Sequence, residues 1–167
     1  PSCMIDGPSQ FDFYSGGGLD IAFLGFGEID AVGNVNVSKL GGNTVGPGGF
    51  IDIAQNARKV VFCGTFDTGG ARTEVGSGVM RVTEHGRVSK LVDKVDQITF
   101  SGPQSLLQGQ KVIYITERAV FELRENGLHI IEIAPGIDLQ TDLLDRMGFA
   151  PNMNSPLSEM DSNYFKK

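Results

Sequence analysis

The segment "GNTVGPGGFIDIAQNA", residues 42–57, sets Gly42, Gly46, Gly48 and Gly49 around a proline and runs straight into an apolar–polar alternation. A Gly-rich loop that enters a helix exposes backbone N–H groups, and these hold a phosphate or an oxyanion. The segment contains no Lys or Arg. It also lacks the GK[ST] of a P-loop and the full GxGxxG spacing of a dinucleotide fold. Three readings stand side by side. Gly46, Gly48 and Gly49 permit tight turning and close packing, or they cradle a phosphate, or they present amides to a developing oxyanion, which needs no cation. The missing cation favours the oxyanion over the phosphate.

The carboxylates nearest these glycines are Glu28, Asp30 and Asp52. Any of them has the chemistry of an acid, a base or a nucleophile. The plainer reading makes Asp52 a capping or solvent-facing residue and puts Glu28 and Asp30 at the wet end of a strand. His85 and His129 are the only histidines, with no HxxxH or CxxC spacing, so neither a metal site nor a Ser-His-Asp or Cys-His set is expected. Cys63 lies in "KVVFCGTF", which reads as a buried strand with the cysteine as a small packed hydrophobe. "FDFYSGGGLD" (11–20) combines three aromatics with a glycine run, suited to line an adenine or acyl pocket or to form a packed loop.

The elements that must position these groups follow from the apolar pattern. "LDIAFLGFGEID" (19–30) is nearly continuous in apolar residues before it turns polar, as a strand buried on both faces in a parallel sheet is. A helix is predicted over 50–57 from the spacing of Phe50, Ile53, Ala54 and Ala57, and 58–66 reads as the next buried strand. Strand, loop, helix and strand make a βαβ-like unit. Residues 67–100, broken at several glycines, read as antiparallel hairpins appended to the main sheet. Three strand-like runs fill 111–136, with Asn126-Gly127 as a hairpin turn. "IDLQTDLLDRMGF" (137–149) reads as an amphipathic helix capped by Asp138, with Leu139, Leu143, Leu144 and Met147 on one face and Gly148 at its end. The segment 150–167 reads as an extended tail over the surface.

One domain's worth of chain, 167 residues, carries 14 basic against 20 acidic residues, a net charge of −6. That argues against a bulk nucleic-acid or acidic-membrane binder, both of which need a positive contact field. No apolar run reaches the ~18 residues of a membrane span, and no leader pattern opens the chain, so a reduced cytoplasmic setting is the default. Pro1 is not an initiator Met, and the chain reads as a piece of a longer polypeptide.

Taken in order, "PSQFDFYSGGGLDIAFLGFGEIDAVGNVNVSK", "GPGGFIDIAQNARKVVFCGTF", "ITFSG" and "VIYITERAVFELRENGLHIIEIAPGIDLQTDLLDRMGF" resemble the C-terminal, β-type half of class I (family I) CoA-transferases, and among them the single-chain acetate or propionate enzymes. The resemblance runs from Pro1 to Phe149. It implies a three-layer α/β/α, NagB/RpiA-like domain with a mainly parallel sheet over 1–149, lacking the part that carries the nucleophile. It also implies CoA transfer between short-chain carboxylic acids by a ping-pong route through a glutamyl-CoA thioester. Coenzyme A as acyl-CoA is the implied substrate, with no metal. The implied partners are the acid, the α-type half of the enzyme and further copies in a homo-oligomer. The family's catalytic glutamate sits in an E-x-G-x-x-G-type motif that does not occur here, so it is expected upstream of Pro1. The family's oxyanion positions fall on Gly48 and Gly49, with Gly46 and Phe50 beside them as substrate- and CoA-binding residues. An acyl-CoA hydrolase on the same fold and a non-catalytic structural subunit are the competing readings.

Overall fold

The computed structural model describes residues 3–166. A six-stranded sheet forms the centre, in the spatial order Ile21–Leu24, Lys59–Cys63, Lys111–Ile115, Ala119–Arg124, Gly127–Ile133 and Asn152–Glu159. The first three strands are mutually parallel, the Lys111–Ile115 to Gly127–Ile133 meander is antiparallel, and Asn152–Glu159 returns parallel to its neighbour. Apolar runs form the first three strands, with Lys59 and Lys111 only at the start of two of them, and Asn126-Gly127 turns the antiparallel pair, with Gly127 at φ +102°. The expected hairpins are present as Arg72–Gly76 with Val79–Glu84, and as Asp67–Thr68 with Val88–Ser89.

The α-helices α1 (Gly7–Ser15), α2 (Phe50–Asn56) and α3 (Gly102–Leu107) accompany the sheet. The core lies between the sheet and the α2–α3 side. Ala22, Val60, Phe62, Val112 and Tyr114 project there, and the Phe62 ring meets Phe50, Phe100 and Tyr114 at centroid distances of 5.8, 5.1 and 5.3 Å. Strand alternation sends Ile21, Phe23, Cys63 and Ile115 to the opposite face. All four are exposed there, Phe23 to 67%.

Four sequence expectations are corrected. Cys63 is exposed, because its register places it on the face the helices do not cover. The aromatic segment at 11–15 and the residues before it form α1, started by Asp6 accepting from the Ser9 amide and by a proline in the first turn. The 138–147 segment is not a regular α-helix but a π-helical turn, Leu139–Leu143, followed by a 3₁₀ turn, Leu144–Arg146. The guanidinium of Arg118 takes the Asp142 carbonyl at 3.1 Å, an acceptor that a regular helix would offer to the amide four residues on. The supposed surface tail supplies the sheet's last strand, and buried Met160 and Phe165 anchor it.

Candidate functional site

The loop 45–49 leaves the hairpin of Lys39–Leu40 and Asn43–Thr44 and enters α2. The amides of Val45 and Gly46 both donate to the Ser38 carbonyl, at 2.8 and 3.0 Å, and the Phe50 amide donates to Pro47 at 3.1 Å. The amides of Gly48 and Gly49 have no acceptor among the described residues. Gly48 is exposed, has φ +54°, and would place a Cβ in open space. Gly49 is the N-cap of α2, and a Cβ there would stand 2.7 Å from the Phe11 ring. The loop thus presents two adjacent free donors. The ring of Phe50 points the other way, buried against Phe62, so this residue meets the loop's surface only through its backbone.

What holds the loop was not legible from its own residues. The buried Asn36 side chain donates to Glu28 Oε2 at 2.7 Å and to the Lys39 carbonyl at 2.6 Å, and accepts from the amides of Ser38 and Lys39. Ser38, whose carbonyl receives the two loop amides, is itself tied through its hydroxyl to Thr99 at 2.8 Å. A fully satisfied buried amide fixes a turn firmly, because leaving any of its groups unpaired is costly. Asn36 therefore positions the loop without touching it.

The three carboxylates are engaged in structure. Glu28 accepts from Asn36 and from the Asp96 amide at 3.1 Å. Asp30, expected at a wet strand end, is buried and closes a turn by accepting from the amides of Val32 and Asn34 and from the Asn34 side chain. Asp52 accepts from the Ser15 hydroxyl at 3.2 Å, joining α2 to α1. The aromatic segment 11–15 runs along α2, with Phe11 beside its N-cap Gly49 and Ser15 bonded to Asp52 and, through its carbonyl, to Asn56 at the far end. The histidines lie apart from one another in the structure. His129 is 8% exposed with Nε2 2.7 Å from Asn126 Oδ1, and burial together with the neighbouring Arg124 lowers its pKa. His85 lies 3.4 Å from Asp142 and 3.3 Å from Arg118. Among the described residues no group of His, Cys, Asp or Glu is arranged to hold a metal ion, and no helix is long and apolar enough to cross a membrane.

Arg118 and Lys90 were missed. Both stand where the parallel strands end, the edge at which open α/β sheets carry their ligands. Arg118, 0% exposed, bonds Asp67 at 2.8 Å, lies 3.2 Å from Glu117 Oε1 and faces the Phe66 ring at 4.6 Å. A charge buried this deeply is tolerated only when paired, and here it binds three rim loops together. A Glu-Arg pair directly after an apolar strand was the signal that could have found it. Lys90 lies half-buried over the Phe26 ring, 4.0 Å from its centroid, and nothing in its local sequence announces this.

No family model matches the chain. Acetate CoA-transferase YdiF of Escherichia coli O157:H7 is 51% identical to it over 162 residues, 97% of this chain and 30% of that protein. Caffeate CoA-transferase of Acetobacterium woodii is 47% identical over 168 residues, 98% of this chain and 32% of that protein. Crystal structures of the acyl-CoA transferase YdiF from Escherichia coli O157:H7, as apoenzyme and as a thioester complex with CoA, match at a TM-score of 0.95 with 50% identity, covering 98% of this chain and 32% of theirs. The chain therefore spans 30–32% of the length of these relatives. The resemblance to the C-terminal part of class I CoA-transferases is borne out, as is the α/β fold with a mainly parallel sheet.

Proposed function

We propose that this chain is the C-terminal, β-type part of an acyl-CoA:carboxylate CoA-transferase for short-chain acids, and that its loop 46–50 supplies the oxyanion side of the active site. The observation that carries the reading is the pair of free amides at Gly48 and Gly49, in a loop without a cation, in a chain similar throughout to acetate and caffeate CoA-transferases. Gly46 and Phe50 frame the pair, the first bonded to Ser38 and the second anchored in the core. The nucleophile is a glutamate carboxylate upstream of Pro1. It adds to the thioester carbonyl, and the resulting oxyanion receives the two N–H groups. Collapse expels CoA thiolate and leaves an acyl-glutamyl anhydride. The thiolate then attacks the glutamyl carbonyl, releasing the first acid and forming glutamyl-CoA. An incoming carboxylate reverses the sequence, so each difficult acyl transfer is split into easier ones. The α-type half and the upstream segment pack on the sheet face that exposes Ile21, Phe23 and Ile115. The resemblance carries with it a cytoplasmic, homo-oligomeric enzyme.

Acetyl-CoA and isotopically labelled propionate, given to the complete enzyme, test this. Transfer yields labelled propionyl-CoA with the total thioester conserved. Loss of thioester without propionyl-CoA would make the protein an acyl-CoA hydrolase and overturn the reading.

A further inference from the structure

Lys90 has a constructed seat. Its ammonium rests on the Phe26 ring, and Gly64 leaves room beside it: a Cβ there would stand 3.0 Å from Nζ and 2.8 Å from the ring. Among the described residues Nζ has no hydrogen-bond acceptor and no ion pair, although an ammonium carries three donors. Glu117 favours the charge from a distance, but both its oxygens are engaged, one by the Phe66 amide at 2.8 Å and the other by Arg118. Burial lowers the Lys90 pKa, the mark of a cation short of solvation.

The ammonium lines a groove of about 280 Å³ at the carboxyl ends of the first two parallel strands. Thr65 and Thr68 line it with Glu28, while Leu40 and Val88 supply its apolar lining, and the Ser89 hydroxyl beside them is already donated to the Leu91 and Arg146 carbonyls. The hairpin that contributes Leu40 and Gly41 is the one that leads into the Gly48–Gly49 loop. A single cation with hydroxyls suits one negative charge. With Glu28 on the wall, a dianionic phosphate is disfavoured relative to a monoanion, since each added negative charge meets a like charge there.

We propose that this groove is a carboxylate subsite, with Lys90 as counter-ion and Leu40 and Val88 against the alkyl chain, and that it receives the short-chain acid. The assignment of the occupant as the acceptor acid rests on the transferase reading above. The binding itself does not.

Titration of the protein with butyrate, followed by NMR of the lysine side-chain amines and the Thr65 and Thr68 amides, reads it directly. A saturable shift of the Lys90 resonances is expected. Lys90→Met should weaken binding at least tenfold with an unchanged melting temperature, and Thr65→Val should weaken it less. Neutral butyramide should cause no shift. Absence of a Lys90 shift, equal binding by Lys90→Met, or tighter binding of inorganic phosphate than of butyrate would each overturn the subsite. In the complete enzyme, Lys90→Met should raise KM for the acid and leave KM for acyl-CoA near its starting value. An enzyme that transfers CoA normally but shows no such split retires the subsite alone. Butyrate binding lost in Lys90→Met, in a complete enzyme that transfers nothing, retires the transferase reading and keeps the subsite.

Discussion

Gly48 separates a donor loop from a merely flexible one. Its φ of +54° lies in the left-handed region, and an added Cβ meets no atom within 4 Å. An alanine there cannot clash within the chain. It costs only backbone strain, about 1–2 kcal/mol, which for a domain of this size lowers the melting temperature by about 2–8 °C. Asparagine tolerates this conformation better and should lower it less. Turnover should respond differently. If the Gly48 and Gly49 amides face the thioester oxygen, either side chain obstructs the approach to them. The loss then resembles removal of one oxyanion donor, about 2.7–4 kcal/mol or roughly a hundred- to a thousandfold in rate. We expect Gly48→Ala and Gly48→Asn in the complete enzyme to lose kcat to that similar extent, while thermal melts rank Asn above Ala. Near-parental turnover in both variants would refute the reasoning. So would an Asn variant that regains rate in step with stability, because strain would then account for everything.

The remaining predictions concern the frame around the site. Arg118→Met leaves Asp67 buried without its ion pair and should cost about 3–5 kcal/mol by chemical denaturation, whereas adding Asp67→Leu should recover much of it; a single variant of parental stability would contradict the pairing. Burial holds the folded His129 pKa below its ordinary value of 6.5, so the unfolded chain binds that proton more readily. Its stabilising contribution is full above about pH 6.5 and is lost as the pH falls below it, so His129→Gln should show a flatter decline in melting temperature from pH 7 to 5.5; parallel curves would contradict this.

The central strands were legible because each carries a compact apolar run, with Lys59 and Lys111 only at the start of two of them, and Asn126-Gly127 admits little besides a hairpin. The Gly-rich loop was legible as a loop entering a helix, and the structure adds that the Gly48 and Gly49 amides have no acceptor among the described residues. What escaped the sequence is what depends on distant partners. The π-helical turn at 139–143 arises because Arg118, far back in the chain, captures the Asp142 carbonyl. The last strand is hidden by prolines, asparagines and serines, since an edge strand pairs through its backbone and needs few apolar side chains. Helix α1 had local signals, Asp6 and Pro8, which its glycines and serines outweighed in the reading. Lys90 gains its meaning only from Phe26 and Gly64, brought to it by two different strands.

The most direct measurement compares residues 1–167 alone with the same residues joined to the upstream segment and the α-type half, assayed for CoA transfer from acetyl-CoA to propionate. The account predicts transfer by the joined enzyme and none by the chain alone, because it assigns the oxyanion donors to this chain and the nucleophile to the upstream segment. Transfer by residues 1–167 in material free of the longer enzyme, or none by the joined enzyme, would contradict it.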